Sequence, residues 1–185
     1  MKKVMKYFKK LVGTRLYLSP INAEDSKIYT KWLNDFGVSG HIGNFRQNMG
    51  LNNEQKMLEQ MASAGQNFAI VLINDDILIG NIGLLNIDNI NRTAAIGLFF
   101  IGESENRGKG YGSEALQLVL AYGFKTLNIH NIMLRVHSDN EQGIACYKKV
   151  GFREFGRRHD SEFKDGKYID SVHMEILDTD FYHIQ

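Results

Sequence analysis

The sequence predicts an α+β fold built around one sheet, with helices on the faces of that sheet. Three observations carry this. Apolar residues alternate in several short runs and recur at helical spacing in others, in the order β-α-α-β-β-β-α-β-α-β-β. Two pairs of strand-like runs are separated by turn residues, Asn74-Asp75-Asp76 and Asp165-Gly166, which is hairpin chemistry. The 185 residues are 43% hydrophobic and 23% charged, ordinary for a globular chain, and a chain of this length buries about 70% of its unfolded surface. A disordered protein and a disulfide-stapled mini-scaffold are excluded. No repeat, low-complexity stretch or Pro-rich linker divides the chain. One domain over residues 14–185 is expected, preceded by a basic extension at 1–13.

Residues 1–12 read as a short basic helix with Val4, Phe8, Leu11 and Val12 on one face. It would pack on the body or fray, or else dock on a membrane surface or a partner. Residues 14–19 alternate as a strand closed by Pro20. Asn22 caps a helix, with Asp25 at a capping-box-like spacing. Ile28, Trp32, Leu33 and Phe36 give that helix an apolar face. Glycines at 37, 40, 43 and 50 mark residues 37–50 as a loop. A second helix spans 53–64, with Met57, Leu58 and Met61 inward. Strands at 68–73 and 77–85 form the first hairpin, and 93–101 is a third strand. Residues 109–127 read as a long helix through Ala115, Leu118, Val119 and Tyr122, followed by a buried-type strand at 132–136. Asn140 caps a helix over 140–150. Residues 152–159 and 168–177 make the second hairpin.

Cys146 is the one cysteine. It can form neither an internal disulfide nor a zinc cluster, and it points to a reducing compartment. No apolar run reaches the ~18 residues of a membrane span, and the Lys-rich start lacks the apolar core of a secretory signal. A soluble, cytoplasmic protein that engages no membrane is the expectation. The six histidines show no metal-ligand spacing, so no metal is expected. Net charge is +1, but six of the 22 cations precede the first acid, Glu24, leaving 16 against 21 acids. A mildly acidic body suits a cationic or amine ligand better than nucleic acid.

The most informative stretch is Ile101-Gly-Glu-Ser-Glu-Asn-Arg107-Gly108-Lys109-Gly110-Tyr111-Gly112-Ser113-Glu114-Ala115, where a strand gives way to a helix. Glycines at alternate positions let the backbone turn tightly and approach a ligand. Amides at a helix N-terminus favour an anion, and Arg107 and Lys109 add positive charge. A phosphate or diphosphate is the natural guest; a glycine-rich helix start with no ligand is the other reading. The loop lacks the Gly-x4-Gly-Lys-Ser/Thr of a nucleotide-triphosphate loop. It also has Ser113 where a dinucleotide fingerprint needs its third glycine. Farther on, Asn140 and Tyr147 are seven residues apart and project on one side of a helix, which Gly151 would end. Tyr147 alone would read as a core aromatic.

Arg107-x-x-Gly110-x-Gly112, then Asn140, then Tyr147-x-x-x-Gly151-Phe152, resembles the GNAT superfamily of acyl-CoA-dependent N-acetyltransferases. The opening Arg15-Leu-Tyr-Leu-Ser-Pro-Ile with Glu24-Asp25 resembles the branch of ribosomal-protein N-terminal acetyltransferases. Tyr122-Gly-Phe, and Phe163-Lys-Asp-Gly-Lys-Tyr with Met174, resemble that branch and the spermidine acetyltransferases. The resemblance implies a single mixed, mostly antiparallel sheet flanked by helices on both faces, the acyl-CoA N-acyltransferase fold. It implies acetyl-CoA as co-substrate. Amides of Arg107, Gly108, Lys109, Gly110, Tyr111 and Gly112, with Ser113, would hold the CoA diphosphate. Phe100, Ile101 and Gly102 would splay from the next strand and pair with the pantetheine arm. An N–H of Phe100 or Ile101 would face the thioester oxygen, Asn140 would bond the arm or the diphosphate, and Tyr147 would sit at the sulfur.

The implied chemistry is direct attack of a primary amine on the thioester. Tyr147 protonates the departing thiolate as general acid, and Glu103 accepts the amine proton directly or through water. Glu103 also reads as a solvated loop acid. Cys146 is out of phase with Tyr147 by about 100° and reads as a small core residue, not as an acyl carrier. Gly143 stands where the resembled family usually has Ala or Ser; it would admit the cofactor more closely or weaken the helix. No acid lies between Asp35 and Glu54, whereas a polyamine would need several carboxylates. A protein N-terminus, an amino sugar or another small amine stays open as acceptor, and a homodimer is compatible with the apolar C-terminal tail. The rival readings are a non-catalytic acyl-CoA-binding module and, through the basic N-terminus, a nucleic-acid binder.

Overall fold

The computed structural model describes residues 5–42 and 48–184. Val4 of the expected first helix, and 43–47 of the expected loop, lie outside them. Among the described residues the strands are β1 (Leu11–Val12), β2 (Leu16–Pro20), β3 (Asn67–Leu72), β4 (Leu78–Asp88), β5 (Thr93–Ile96), β6 (Phe100–Ile101), β7 (Asn131–His137), β8 (Arg153–Lys164) and β9 (Lys167–Leu177). The helices are α1 (Ser26–Leu33), α2 (Phe36–Ile42), α3 (Leu51–Ala64), α4 (Tyr111–Lys125), α5 (Glu141–Val150) and α6 (Asp178–Ile184). Strand order is β1-β2-β3-β4-β5-β7-β9-β8, with β6 beside β4. β5 and β7 run parallel, and every other pairing is antiparallel. The expected mixed, mostly antiparallel sheet is present. No helix among the described residues is long and apolar enough to cross a membrane.

The chain gathers into two compact units, Met1–Gly83 with Leu98–Val119, and Leu84–Gly97 with Leu120–Gln185. The first packs α1 and α3 against strands around Tyr17, Tyr29, Trp32, Leu58, Val71 and Phe100. Burying each such side chain contributes roughly 1.5–3 kcal/mol. Leu58 faces inward with Glu54, one turn earlier on α3, while Met57 is exposed. The expected inward Met57 is thus corrected, and so is Phe36, which is exposed at the start of α2. Helix α2 itself replaces part of the expected loop. Asp35 starts it by accepting the Gly37 N–H at 2.8 Å, which offsets the low helix propensity of its glycines.

The expected N-terminal helix is absent from residues 5–12, which run extended instead. The Phe8 N–H donates to Ser19 Oγ, the Lys10 N–H to the Leu18 carbonyl, and β1 pairs with β2. Tyr7 is buried and its hydroxyl donates to Asp25 Oδ1, which Lys6 also meets. An isolated helix this short is marginal in water, whereas a sheet edge offers backbone partners at once. Asp25 is therefore a buried anchor rather than a capping-box acid. Asn22 does cap, but through the Glu24 N–H and over a 3-10 turn that precedes α1.

In the second unit β7 and β9 alternate cleanly. Ile132, Leu134 and Val136 are buried, as are Val172, Met174 and Ile176, while Met133 is exposed. This is the two-residue period of a sheet with one face covered, which corrects the buried-type strand expected at 132–136. Phe124 meets Phe181 of α6, with ring centroids 5.2 Å apart. The tail read as apolar surface is thus a short helix whose Phe181 is core.

The expected strand over 93–101 is broken in two. β5 pairs with β4 at Leu84–Asp88, and β6 pairs with it at Gly80 and Asn81. The break is held by Asn81, which is fully buried. Its Nδ2 donates to the Leu98 carbonyl at 2.7 Å, and its Oδ1 accepts the Tyr29 hydroxyl at 3.1 Å. A carbonyl outside a ladder needs such a partner when buried.

Glu114 ties the chain before β2 to the first turn of α4. Its Oε1 accepts the N–H groups of Thr14 and Arg15, and its Oε2 accepts Arg15 Nε, each at 2.8 Å. Burial by itself would raise this carboxyl, but those donors outweigh it and hold it below its usual value. The stabilisation is present above the ordinary carboxylate range and is lost as pH falls through the lowered folded value. Glu114→Gln should therefore lower stability by about 1–3 kcal/mol at neutral pH. In urea titrations the gap from the parent chain should shrink once the pH falls below about 4. Asn81→Ala strands the Tyr29 hydroxyl and the Leu98 carbonyl, and should cost about 2–4 kcal/mol in the same assay.

Candidate functional site

The strand end, turn and helix start expected to form a phosphate loop lie in the first unit as one continuous segment. Gly102 follows β6 and donates its N–H to the Ile79 carbonyl at 2.8 Å. A Cβ there would lie 2.1 Å from Cε2 of Trp32, so only glycine lets the strand end settle on the indole. Ser104–Asn106 form a 3-10 turn, and Gly108 and Gly110 take φ of 72° and 83°, in the left-handed region that favours glycine. Gly108 and Lys109 are exposed, and a Cβ on Gly108 would meet nothing within 4 Å. Tyr111 opens α4, with Gly112 and Ser113 half-buried in its first turn.

Two arginines shape this segment, in a way the sequence did not reveal. Arg107 turns back. Its Nε donates to the Ile101 carbonyl at 3.1 Å, and its two terminal nitrogens to Gly102 at 2.6 Å and Gly37 at 3.1 Å. Its guanidinium therefore braces the strand end against α2, where the sequence reading had it adding charge at the loop. Arg15, singled out only as part of a strand opening, donates to the Lys109 carbonyl at 2.8 Å and covers the Tyr111 ring at 4.9 Å. No local signal marks this, because the partners are about a hundred positions away in the chain.

Glu103 is the next residue along. Its Oε1 accepts both Lys31 Nζ at 2.5 Å and Trp32 Nε1 at 2.9 Å. The Lys31 and Trp32 hydrogen bonds hold its carboxyl below the usual range, and the same bond raises Lys31. Glu103 is thus a paired acid rather than a loop acid in water alone. Around it Tyr29, Trp32 and Phe100 form an aromatic cluster, with centroids 5.6–5.9 Å apart.

Asn140 and Tyr147 lie in the second unit, on the helix that was read for them. Asn140 Oδ1 caps α5 by accepting the Gly143 N–H at 2.9 Å. A Cβ on Gly143 would sit 2.6 Å from Asn140 Nδ2, so the glycine makes room for the cap. Gly151 ends the helix at φ 110°. Tyr147 is buried, its ring edge-on to Phe152 at 5.8 Å. Burial raises its phenol above the ordinary value, with Cys146 adding to the effect, so it stays protonated at neutral pH. Cys146 is half-buried and not the core residue expected.

The loop's chemistry fits a CoA diphosphate. Left-handed glycines precede a helix of 15 residues, and open space lies above Gly108. Backbone amides, with the dipole behind them, can hold an anion there. Among the described residues β6 ladders with β4 alone.

Comparisons with known proteins identify the family. Residues 15–153 match the acetyltransferase (GNAT) domain family. The uncharacterized N-acetyltransferase p20 of Bacillus licheniformis is 29% identical over 175 residues, covering 92% of this chain and 97% of that protein. The spermidine N(1)-acetyltransferase of Vibrio cholerae is 33% identical over 104 residues, or 56% of this chain and 59% of that protein. In fold, the chain resembles the crystal structure of spermidine N-acetyltransferase from Vibrio cholerae in complex with CoA and spermine. That likeness has a TM-score of 0.79 at 24% identity and covers 92% of this chain and 99% of the other. With the family match running from the start of β2 to the start of β8, the chain belongs to the GNAT family of N-acetyltransferases.

Proposed function

We propose that this chain transfers an acetyl group from acetyl-CoA to a primary amine by direct attack, with Tyr147 as general acid. The observation that carries the reading is the left-handed glycine loop at the start of α4, within a chain of this family. In this reading the amides of residues 107–112, with Ser113, hold the diphosphate. The strand end Phe100 to Gly102 takes the pantetheine arm beside the carbonyls that Arg107 holds, and Asn140 adds a side-chain bond to the cofactor. When bound, acetyl-CoA supplies an activated acyl group.

The protein's part is to orient and to move protons. An N–H from Phe100 or Ile101 donates to the thioester oxygen, a contribution on the order of 3 kcal/mol to lowering the barrier. Tyr147 carries its proton at neutral pH, as an acid must, although the burial that raises its phenol makes it a weaker donor to the thiolate. Glu103 accepts the amine proton. It is ionised at neutral pH, but its lowered proton affinity favours relay through water over a strong direct base. The basic segment at 1–13 serves as a strap for the domain at 14–185, which its anchor at Asp25 supports. Work in the cytoplasm fits a chain with one thiol.

The acceptor reading favours an amine with one positive charge: a protein N-terminus, an amino sugar or a small amine. Glu103 is already matched by Lys31, and Glu54 is buried inside α3. Neither is placed to take the second ammonium of a polyamine, and the nearby Glu105 and Asp35 already act on Lys31. In a thiol-release screen over polyamines, aminoglycosides, amino acids and N-terminal peptides of ribosomal proteins, a singly charged amine should react faster than spermidine. Binding of CoA with no amine acetylated would refute the catalytic reading. With a responsive acceptor, Tyr147→Phe should lower kcat on the order of a hundredfold while leaving the Kd for CoA nearly unchanged. An unaltered kcat would remove Tyr147 as the acid.

A further inference from the structure

We propose that Lys31 is an acetylation site of the chain itself, modified in cis by the same centre. This rests on the acetyl-transfer reading above. Lys31 lies on α1 with two thirds of its side chain exposed, and its Nζ meets Glu103 Oε1 at 2.5 Å. That oxygen belongs to the residue assigned as proton acceptor for an incoming amine. An amine is therefore already seated on the acceptor.

The seat is rigid. Trp32, the neighbour of Lys31, donates to the same oxygen at 2.9 Å, and its indole lies under Gly102. Gly102 is held in turn by the Ile79 carbonyl, and Arg107 grips the carbonyls of Ile101 and Gly102. The strand end assigned to the thioester and the helix that carries Lys31 are thus braced as one piece. Holding a nucleophile beside the reacting bond replaces an encounter between molecules. Lys27, one turn earlier on the same helix and exposed, has no partner of this kind among the described ion pairs.

The Lys31 ammonium gives a proton to Glu103, and its lone pair attacks the carbonyl carbon of acetyl-CoA. The N–C bond forms and the C–S bond breaks. Of the two protons the ammonium loses overall, one ends on the CoA thiol by way of Tyr147 and one in solvent. Glu105 and Asp35 join Glu103 in stabilising the ammonium, and Arg107 faces Glu103. The neutral amine is scarce, so the modification is slow beside turnover of an external amine. Once formed, the amide carries no charge, and Glu103 loses its cation.

The test incubates the full chain with acetyl-CoA and no acceptor, then maps acetyl groups by peptide mass spectrometry. Trp32 is the only tryptophan, so its emission reads the change at Glu103 independently. The expected result is one acetyl group on Lys31, appearing at a first-order rate independent of protein concentration. Trp32 emission should change at the same rate. Lys31→Arg, which keeps a cation for Glu103, should abolish both signals, and Lys27→Arg should abolish neither. Glu103→Gln should slow acetylation on the order of a hundredfold. An unmodified Lys31 in a chain that acetylates external amines would overturn this inference and leave the proposed function standing. So would a rate that scales with protein concentration, or one equalled by the urea-unfolded chain. Failure with every amine, internal and external, would instead overturn the function.

Discussion

One buried amide governs the part of the fold on which the site is built. Asn81 sits in β4 with no exposed surface and bridges the Tyr29 hydroxyl and the Leu98 carbonyl. Without that bridge, Leu98 would carry an unsatisfied carbonyl into the core, at a cost of roughly 1–3 kcal/mol. With it, the chain can leave the β5 ladder and rejoin β4 as β6, farther back along the strand. The short strand so created then runs onto the indole of Trp32 and into the glycine turn. An apolar residue at 81 would suit the core better by size alone, but it would give the break no partner.

The charges near the glycine turn mostly serve its shape. Arg107 is spent on three carbonyls, and Arg15 on Glu114, the Lys109 carbonyl and the Tyr111 face. What the turn presents outward is backbone and the exposed Lys109. This suits recognition of an anion by amides at a helix start, where the donors are fixed and cost no side-chain entropy to order. The same economy holds at Glu103, whose carboxylate is positioned by one lysine and one indole before any ligand arrives. A paired acid of this kind is ready in its charged form, yet it has little capacity left to attract a second cation.

The N-terminal segment shows how context overrides local signals. Its apolar spacing suits a helix, and its lysines suit a solvated face. In the fold its described residues lead into the two-residue edge strand β1, and Tyr7 ahead of that strand reaches a buried Asp25. Backbone partners on β2 decide the matter, because a short isolated helix gains too little from its own hydrogen bonds. Phe36 and Met57 are exposed for separate reasons: α1 ends at Leu33, so Phe36 opens a different helix, and on α3 the covered face belongs to Glu54 and Leu58.

By itself the sequence determined what depends on near neighbours in the chain. The two hairpins, the cap at Asn140, the stop at Gly151 and the glycine turn were all legible. Each is fixed by residue type within a few positions, through φ preference, side-chain period or a local hydrogen bond. The resemblance to the family rested on Arg107, Gly110, Gly112, Asn140 and Tyr147, and the match over residues 15–153 showed the membership. Only the tertiary structure decided where charged groups end. That Arg107 braces a strand, that Glu114 holds Arg15, that Glu103 carries Lys31 and that Asn81 splits a strand are pairings set by distance in space. A carboxylate or guanidinium has no period or propensity that names its partner, so those choices emerge only once the core has brought the elements together.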